Sequence, residues 1–332
     1  LGLSPAPTGP VALLYDDLFL AHDSWGHPES AARLTAITSR LRGEPQLGPE
    51  CWGTALPAED EHLLLVHRPR HLERIRELCR RGGGWIDSDT YCVASSYRVA
   101  LGAVGASLEA VRLALTCPAR PAFALVRPPG HHATPERAMG FCLFNNAAIA
   151  VRQAQRAHGL ERVAVVDLDV HHGNGTQEVF YDDGDVLYCS LHQFPLYPGS
   201  GRAEERGEGR GSGTTVNVPL PPGTGPEPWL AALREQVLPA LRRHRPQLIL
   251  VSAGFDALGT DPLAQLALDP AAYGSAAVVL ADVAAELGAA PMVWLLEGGY
   301  DLEQMPEAVR LCALSLAGAP SSPSSPATSL GT

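Results

Sequence analysis

The chain has 332 residues, a formal net charge of −11, 45% hydrophobic and 18% charged residues, a globular balance with ample length for a large core. The acidic balance argues against nucleic acid as a partner, and no apolar run reaches the ~18 residues of a membrane helix, so neither a nucleic-acid nor a membrane partner is expected. Seven scattered cysteines without a C-x-x-C pair exclude a cysteine zinc knuckle and fit a reducing compartment, so a cytoplasmic location is expected.

Residues 1–10 are rich in Pro, Gly and Ala and read as a flexible lead-in; they show neither the charged nor the apolar region of a secretory signal. Apolar runs at 11–17, 122–130, 162–170, 185–192, 247–257 and 292–300 predict buried strands. Helical patterns lie between them. One runs over 29–43 with Gly43 as a C′ glycine, one over 95–115, and one follows an Asn cap and ends at Gly159. The tail 318–332 is low in complexity and reads as disordered. The expectation is one α/β domain over 11–317, a mainly parallel sheet with helices on both faces. The Gly-rich stretch 206–213 lacks the Lys of a phosphate loop and reads as a flexible loop near the site. All the Lys+Arg positions are Arg, a bias without direct bearing on chemistry.

In parallel sheets, ligands bind beyond the carboxyl ends of the strands. Four runs end in polar clusters there: "RPPGHH", "DLDVHH", "SAGFDA" and "LEGGY". Strand alternation puts Asp167, Asp169 and His171 on one face and Leu168, Val170 and His172 on the other. An Asp and a His two residues apart can hold one metal ion, with Asp256 as third ligand. Two Asp and one His leave positions open for water and substrate, the catalytic kind of Zn²⁺ site; Fe²⁺ or Co²⁺ would suit the same donors. Taken singly, each cluster has a plainer reading: a hydrogen-bonded strand end, a helix cap at Asp256, idle loop histidines at 131 and 132, a core tyrosine at 300. Their recurrence at four strand ends favours one site.

"GHPE" (26–29), "RPPGHH", "GFCLFNNAAIA" (140–150), "DLDVHHGNGTQ" (167–177), "SLHQFPLYPGSG" (190–201), "SAGFDALGTDPLA" (252–264) and "LEGGYDL" (296–302) resemble the zinc-dependent histone deacetylase family, in its order and over nearly all of the chain. The resemblance implies the arginase–deacetylase fold with an eight-stranded parallel sheet, and hydrolysis of an acyl amide on a lysine-like amine. It implies Asp169, His171 and Asp256 as zinc ligands, His131 and His132 as catalytic histidines and Tyr300 as the carbonyl-polarising phenol. Asp167 would stand behind His131, and Asn174 behind His132. Gly140, Phe141, Tyr197 and Leu263 would bound the substrate tunnel, with Asp89 at its rim and Arg33 at an internal channel. Structural K⁺ would lie at Asp167, Asp169, His171, Ser190 and Leu191, and a second at Phe180, Asp183 and Val186. Asn174 resembles the class II branch, and a bacterial member is expected. Leu263 stands where polyamine-preferring relatives carry Glu, which weighs against an acetylpolyamine substrate without removing it. Arginase-like dimetal chemistry lacks its second carboxylate beside Asp256, where Gly254 and Leu258 stand. A non-catalytic acyl-lysine or metal-binding module would be expected to have lost one of the six key side chains, all of which are present.

Overall fold

The computed structural model describes residues 7–23 and 26–318. The expected tail beyond Gly318 and the first six residues of the expected lead-in therefore lie outside the described residues. Within the rest of that lead-in, the Thr8 and Gly9 N–H groups both donate to the Glu50 carbonyl, at 2.8 and 2.9 Å.

Ten strands occur among the described residues: β1 (Ala12–Leu14), β2 (Trp52–Gly53), β3 (Gly83–Trp85), β4 (Tyr91–Val93), β5 (Ala122–Ala124), β6 (Val163–Asp167), β7 (Val186–Gln193), β8 (Thr215–Leu220), β9 (Leu248–Ala253) and β10 (Met292–Leu296). Eight form one sheet in the order β2-β1-β5-β10-β9-β6-β7-β8. Every pairing in it is parallel. The central strands are buried along their whole length, which is why they read as continuous apolar runs rather than alternating ones. β3 and β4 make a separate antiparallel hairpin.

Helices flank the sheet. Pro270–Glu286 and Gln304–Leu316 pack together with Ala31–Arg42, and Ser96–Thr116 packs on Asn146–His158. The helix Ser96–Thr116 is long and apolar enough to cross a membrane by composition, a segment the count of unbroken apolar residues passes over; its apolar stretch is mostly buried in the core. Asn145 caps its helix as expected, its side chain accepting from the Ala148 N–H at 2.9 Å, and Gly159 ends it at φ +65°. Gly43 differs: its φ is −77°, so it closes its helix in right-handed geometry rather than as a left-handed C′ residue.

The strands are shorter than the apolar runs that predicted them. The run 162–170 yields a strand only to Asp167, so alternation does not set the directions of Asp169 and His171. An Asx-type bend does, with the His171 N–H donating to Asp169 Oδ1 at 2.9 Å. β8 carries polar residues and Pro219 at the sheet edge, where one side faces solvent, so it gives no apolar signal. The segment 206–213 lies away from the cavity described below. It packs on Tyr181 and Asp183, with the Glu208 N–H donating to the Tyr181 carbonyl at 2.8 Å.

Candidate active site and metal centre

β5, β10, β9 and β6 are neighbours at the middle of the sheet. Their carboxyl ends are the four polar clusters, so segments spread over 170 residues of sequence meet at one point. There Asp169, His171 and Asp256 bring one ligand atom each to within 4.8 Å of one another. His171 Nδ1 lies 3.2 Å from both Asp169 Oδ1 and Asp256 Oδ2. Asp256 is anchored by the Val170 N–H at 2.9 Å, and Asp169 by the Gly298 N–H at 2.9 Å. A Cβ at Gly298 would fall on the Asp256 carboxylate, so the β10 turn requires glycine to come this close.

The two carboxylates are buried with no Arg against them. Burial acts against a charge on His171, but its hydrogen bonds to Asp169 and Asp256 and their charges outweigh it and hold its pKa up at about 10. Two buried carboxylates and an imidazole on one point are costly as a bare set. They fit a divalent cation, since the same donor types form open catalytic metal sites.

His131 and His132 come off β5 through two prolines and Gly130. His131 Nδ1 is 3.1 Å from Asp167 Oδ2, which also accepts from the Tyr188 hydroxyl at 3.0 Å. His132 Nδ1 is 2.8 Å from Asn174 Oδ1. An amide oxygen only accepts, so Nδ1 carries the proton and Nε2 keeps a free lone pair. Burial pushes the His132 pKa well down, helped by the charges of His131 and His171. For His131, burial is outweighed by Asp169 and Asp167, and its pKa stands well above the usual value.

These groups floor a cavity of about 440 Å³. Gly140, Phe141, Tyr197, Leu263, Tyr300 and Asp89 all line it, so the expected substrate-contacting residues come together. Phe141 holds φ +68°, an uncommon conformation for a bulky residue, and its ring stands edge-to-face on Tyr300 at 5.7 Å. Tyr197 stands edge-to-face on His132 at 5.1 Å. A Cβ at Gly140 would strike the His132 ring, so that site requires glycine. Burial raises the Tyr300 pKa well above the usual phenol value, against the pull of Arg33, so the hydroxyl stays a donor.

Arg33 is buried, donating from Nε to the Gly299 carbonyl and from Nη2 to the Glu297 carbonyl, both at 2.6 Å, with its guanidinium 4.9 Å from the Tyr300 ring. Asp167 and Ser190 are register partners across β6 and β7, with Leu191 following. Phe180 and Asp183 lie at the opposite, amino end of β7, before Val186; the Asp183 N–H donates to the Phe180 carbonyl at 3.0 Å and its carboxylate pairs with Arg152 at 2.5 Å. His172 points away from the metal cluster, to Ser200 and Gln177 at 2.8 and 2.9 Å.

Three residues escaped sequence reasoning although they sit inside the quoted motifs. Glu297 accepts from the Gly130 N–H at 2.6 Å, the His131 N–H at 3.2 Å and the Ser252 hydroxyl at 3.1 Å, and so shapes the histidine loop; burial pushes its pKa up to about 7. Asp261 accepts from the Tyr300 and Leu263 N–H groups at 2.8 and 2.9 Å. His27 sets its ring edge-to-face on Phe141 at 4.8 Å, with Nε2 2.9 Å from the Asp89 carbonyl. Their only sequence signal is membership of a motif, because the partners lie far along the chain.

Comparison with known proteins agrees with this geometry. The histone deacetylase domain family matches residues 27–316. A histone deacetylase-like amidohydrolase of Pseudomonas aeruginosa is 43% identical over 282 residues, 84% of this chain and 73% of the relative. A probable deacetylase of Archaeoglobus fulgidus is 40% identical over 299 residues, 88% of this chain and 82% of the relative. The crystal structure of the HDA15 HD domain superposes with a TM-score of 0.88 at 36% identity, over 95% of this chain and 91% of that one.

Proposed function

Because this chain belongs to the histone deacetylase family, we propose that it is a zinc-dependent deacylase that hydrolyses the amide of an acylated lysine-like amine. The observation that carries this reading is the convergence of Asp169, His171 and Asp256 beneath a cavity that also holds His131, His132 and Tyr300. Asp169, His171 and Asp256 would hold the divalent ion, which supplies Lewis acidity and an activated water at neutral pH.

The rest is done by the chain's own side chains. Phe141 and Tyr197 clasp the aliphatic stem and exclude water. His132 Nε2 takes the proton of the attacking water and returns it to the leaving amine. His131, whose proton affinity Asp169 and Asp167 raise, remains an electrostatic partner. The Tyr300 hydroxyl donates to the oxyanion that develops on the amide carbonyl. Asp89 meets the substrate backbone at the rim, and Arg33 lines the internal channel on the family resemblance. K⁺ at the Asp167–Ser190 group and at Phe180, Asp183 and Val186 belongs to the same proposal, as does a single domain over 11–317.

The test is turnover of purified, metal-assayed protein on acetyl-lysine peptide against acetylspermidine, before and after chelation. Chelator-sensitive cleavage favouring the peptide supports the reading. A large preference for the polyamine defeats the substrate assignment, and full activity in metal-stripped protein defeats the mechanism.

A further inference from the structure

Among the described residues two aromatic rings are strongly exposed, Trp85 at 59% and Tyr197 at 38%, and both line the same cavity. Tyr197 is accounted for as a tunnel wall. Trp85 is not. It sits on the β3–β4 hairpin, register partner of Tyr91, with ring centroids 6.0 Å from both Tyr91 and His27. The hairpin and these two rings fix the indole in place while leaving it open to solvent, so a partner meets it with little ordering cost.

Two carboxylates stand close to the indole, while Arg137 acts on Tyr197 of the same cavity. Asp89 lines the cavity, and Asp87 stands two residues away in the same turn, holding the Asp89 and Thr90 N–H groups at 3.1 and 2.7 Å. No Arg lines the cavity, and the chain has no Lys to place there. Burial, and then the neighbouring Asp87, push the Asp89 pKa up, a repulsion that a bound cation would relieve. Of the other lining residues, Phe141, Tyr197 and Leu263 offer no countercharge. A cation therefore has no place along the tunnel and a good one at its entrance, over the aromatic face that binds cations best.

We propose that Trp85 is a specificity-determining residue that seats a cationic side chain beside the acylated lysine, so that the substrate class is an acyl-lysine within a basic peptide segment. This rests on the deacylase reading above and adds the sequence context. An acetylated polyamine carries its charge only a few carbons from the amide. That charge falls about where the Cα of an acyl-lysine stands, and the molecule has no flanking side chain to lay over the indole.

The experiment compares kcat/KM of the metal-loaded full chain on acetyl-lysine peptides that differ at one flanking position, Arg against its neutral isostere citrulline. The wild type should favour Arg through KM, with kcat held. Trp85→Ala should shrink that ratio by about threefold, the scale of an exposed cation–π contact, and Trp85→Phe should retain part of it. Equal rates on the two peptides in the wild type, or an equal fall on both in Trp85→Ala, would overturn the proposal while leaving the deacylase reading intact. Hydrolysis of acetylated polyamines with no turnover of any acyl-lysine peptide would overturn both.

Discussion

His131 and His132 are consecutive, with ring centroids 4.0 Å apart, yet the fold drives their proton affinities in opposite directions. Burial disfavours a charge on both. At position 131 two carboxylates overcome it; at position 132 the charges of His131 and His171 add to it. The two rings are thus driven apart in proton affinity, His131 upward and His132 downward, a separation that suits His132 to the acid–base work.

Burial and the charges of His131 and His171 leave His132 easy to deprotonate, and the Asn174 amide opposes them only as a minor contribution. Asn174→Asp would place a carboxylate where the amide oxygen now stands, 2.8 Å from Nδ1, and favour the imidazolium. The acid limb of the kcat/KM profile should move to higher pH, with circular dichroism unchanged. An acid limb that stays put would show that His132 is not the group titrating.

Tyr300→Phe removes one oxyanion donor and little volume. Turnover should fall on the order of 10²–10³-fold, while metal content measured by elemental analysis is retained, because Tyr300 contributes none of the three clustered ligand atoms. Activity within a factor of a few of wild type would remove the donor role.

Leu263 is an apolar residue of the cavity lining. Leu263→Glu would supply a countercharge there and should raise acetylspermidine turnover relative to acetyl-lysine peptide. Since the Leu263 N–H is held by Asp261 at 2.9 Å, the loop should keep its place. An unchanged substrate ratio would mean that position 263 does not reach the substrate.

Acid should destabilise the fold through His67. Its ring is fully engaged: Nε2 accepts from the Asn145 N–H at 2.8 Å, so Nδ1 donates to the Thr134 carbonyl at 2.9 Å. Burial, followed by the His71 charge, lowers its pKa to about 3, against roughly 6.5 unfolded. Between those values the unfolded chain binds the extra proton. The stabilisation is therefore complete above pH 6.5 and is lost as pH falls toward 3, at a limiting slope of about 1.4 kcal/mol per pH unit. Urea unfolding of His67→Gln should show a shallower decline over this range than wild type. Parallel curves would refute the assignment.

Sequence alone determined the ingredients. Buried parallel strands must be apolar throughout, so "RVAVV" and "QLILVSA" announce themselves, and a charged cluster closing such a run has to be held by something. That made Asp169, His171, Asp256, His131, His132 and Tyr300 legible, and their order along the chain identified the family. Local reasoning failed where direction depends on a bend, as at Asp169 and His171 beyond the end of β6, or where an edge strand is only half-buried, as in β8. Tertiary structure decided which strand ends are neighbours, β5 beside β10, β9 and β6. It also decided the roles of Glu297, Asp261 and His27 and the exposure of Trp85. Those depend on contacts across tens to hundreds of residues, and no local pattern encodes them. A proton's affinity for a ring, or an indole's access to water, is set by whatever the folded chain packs against it.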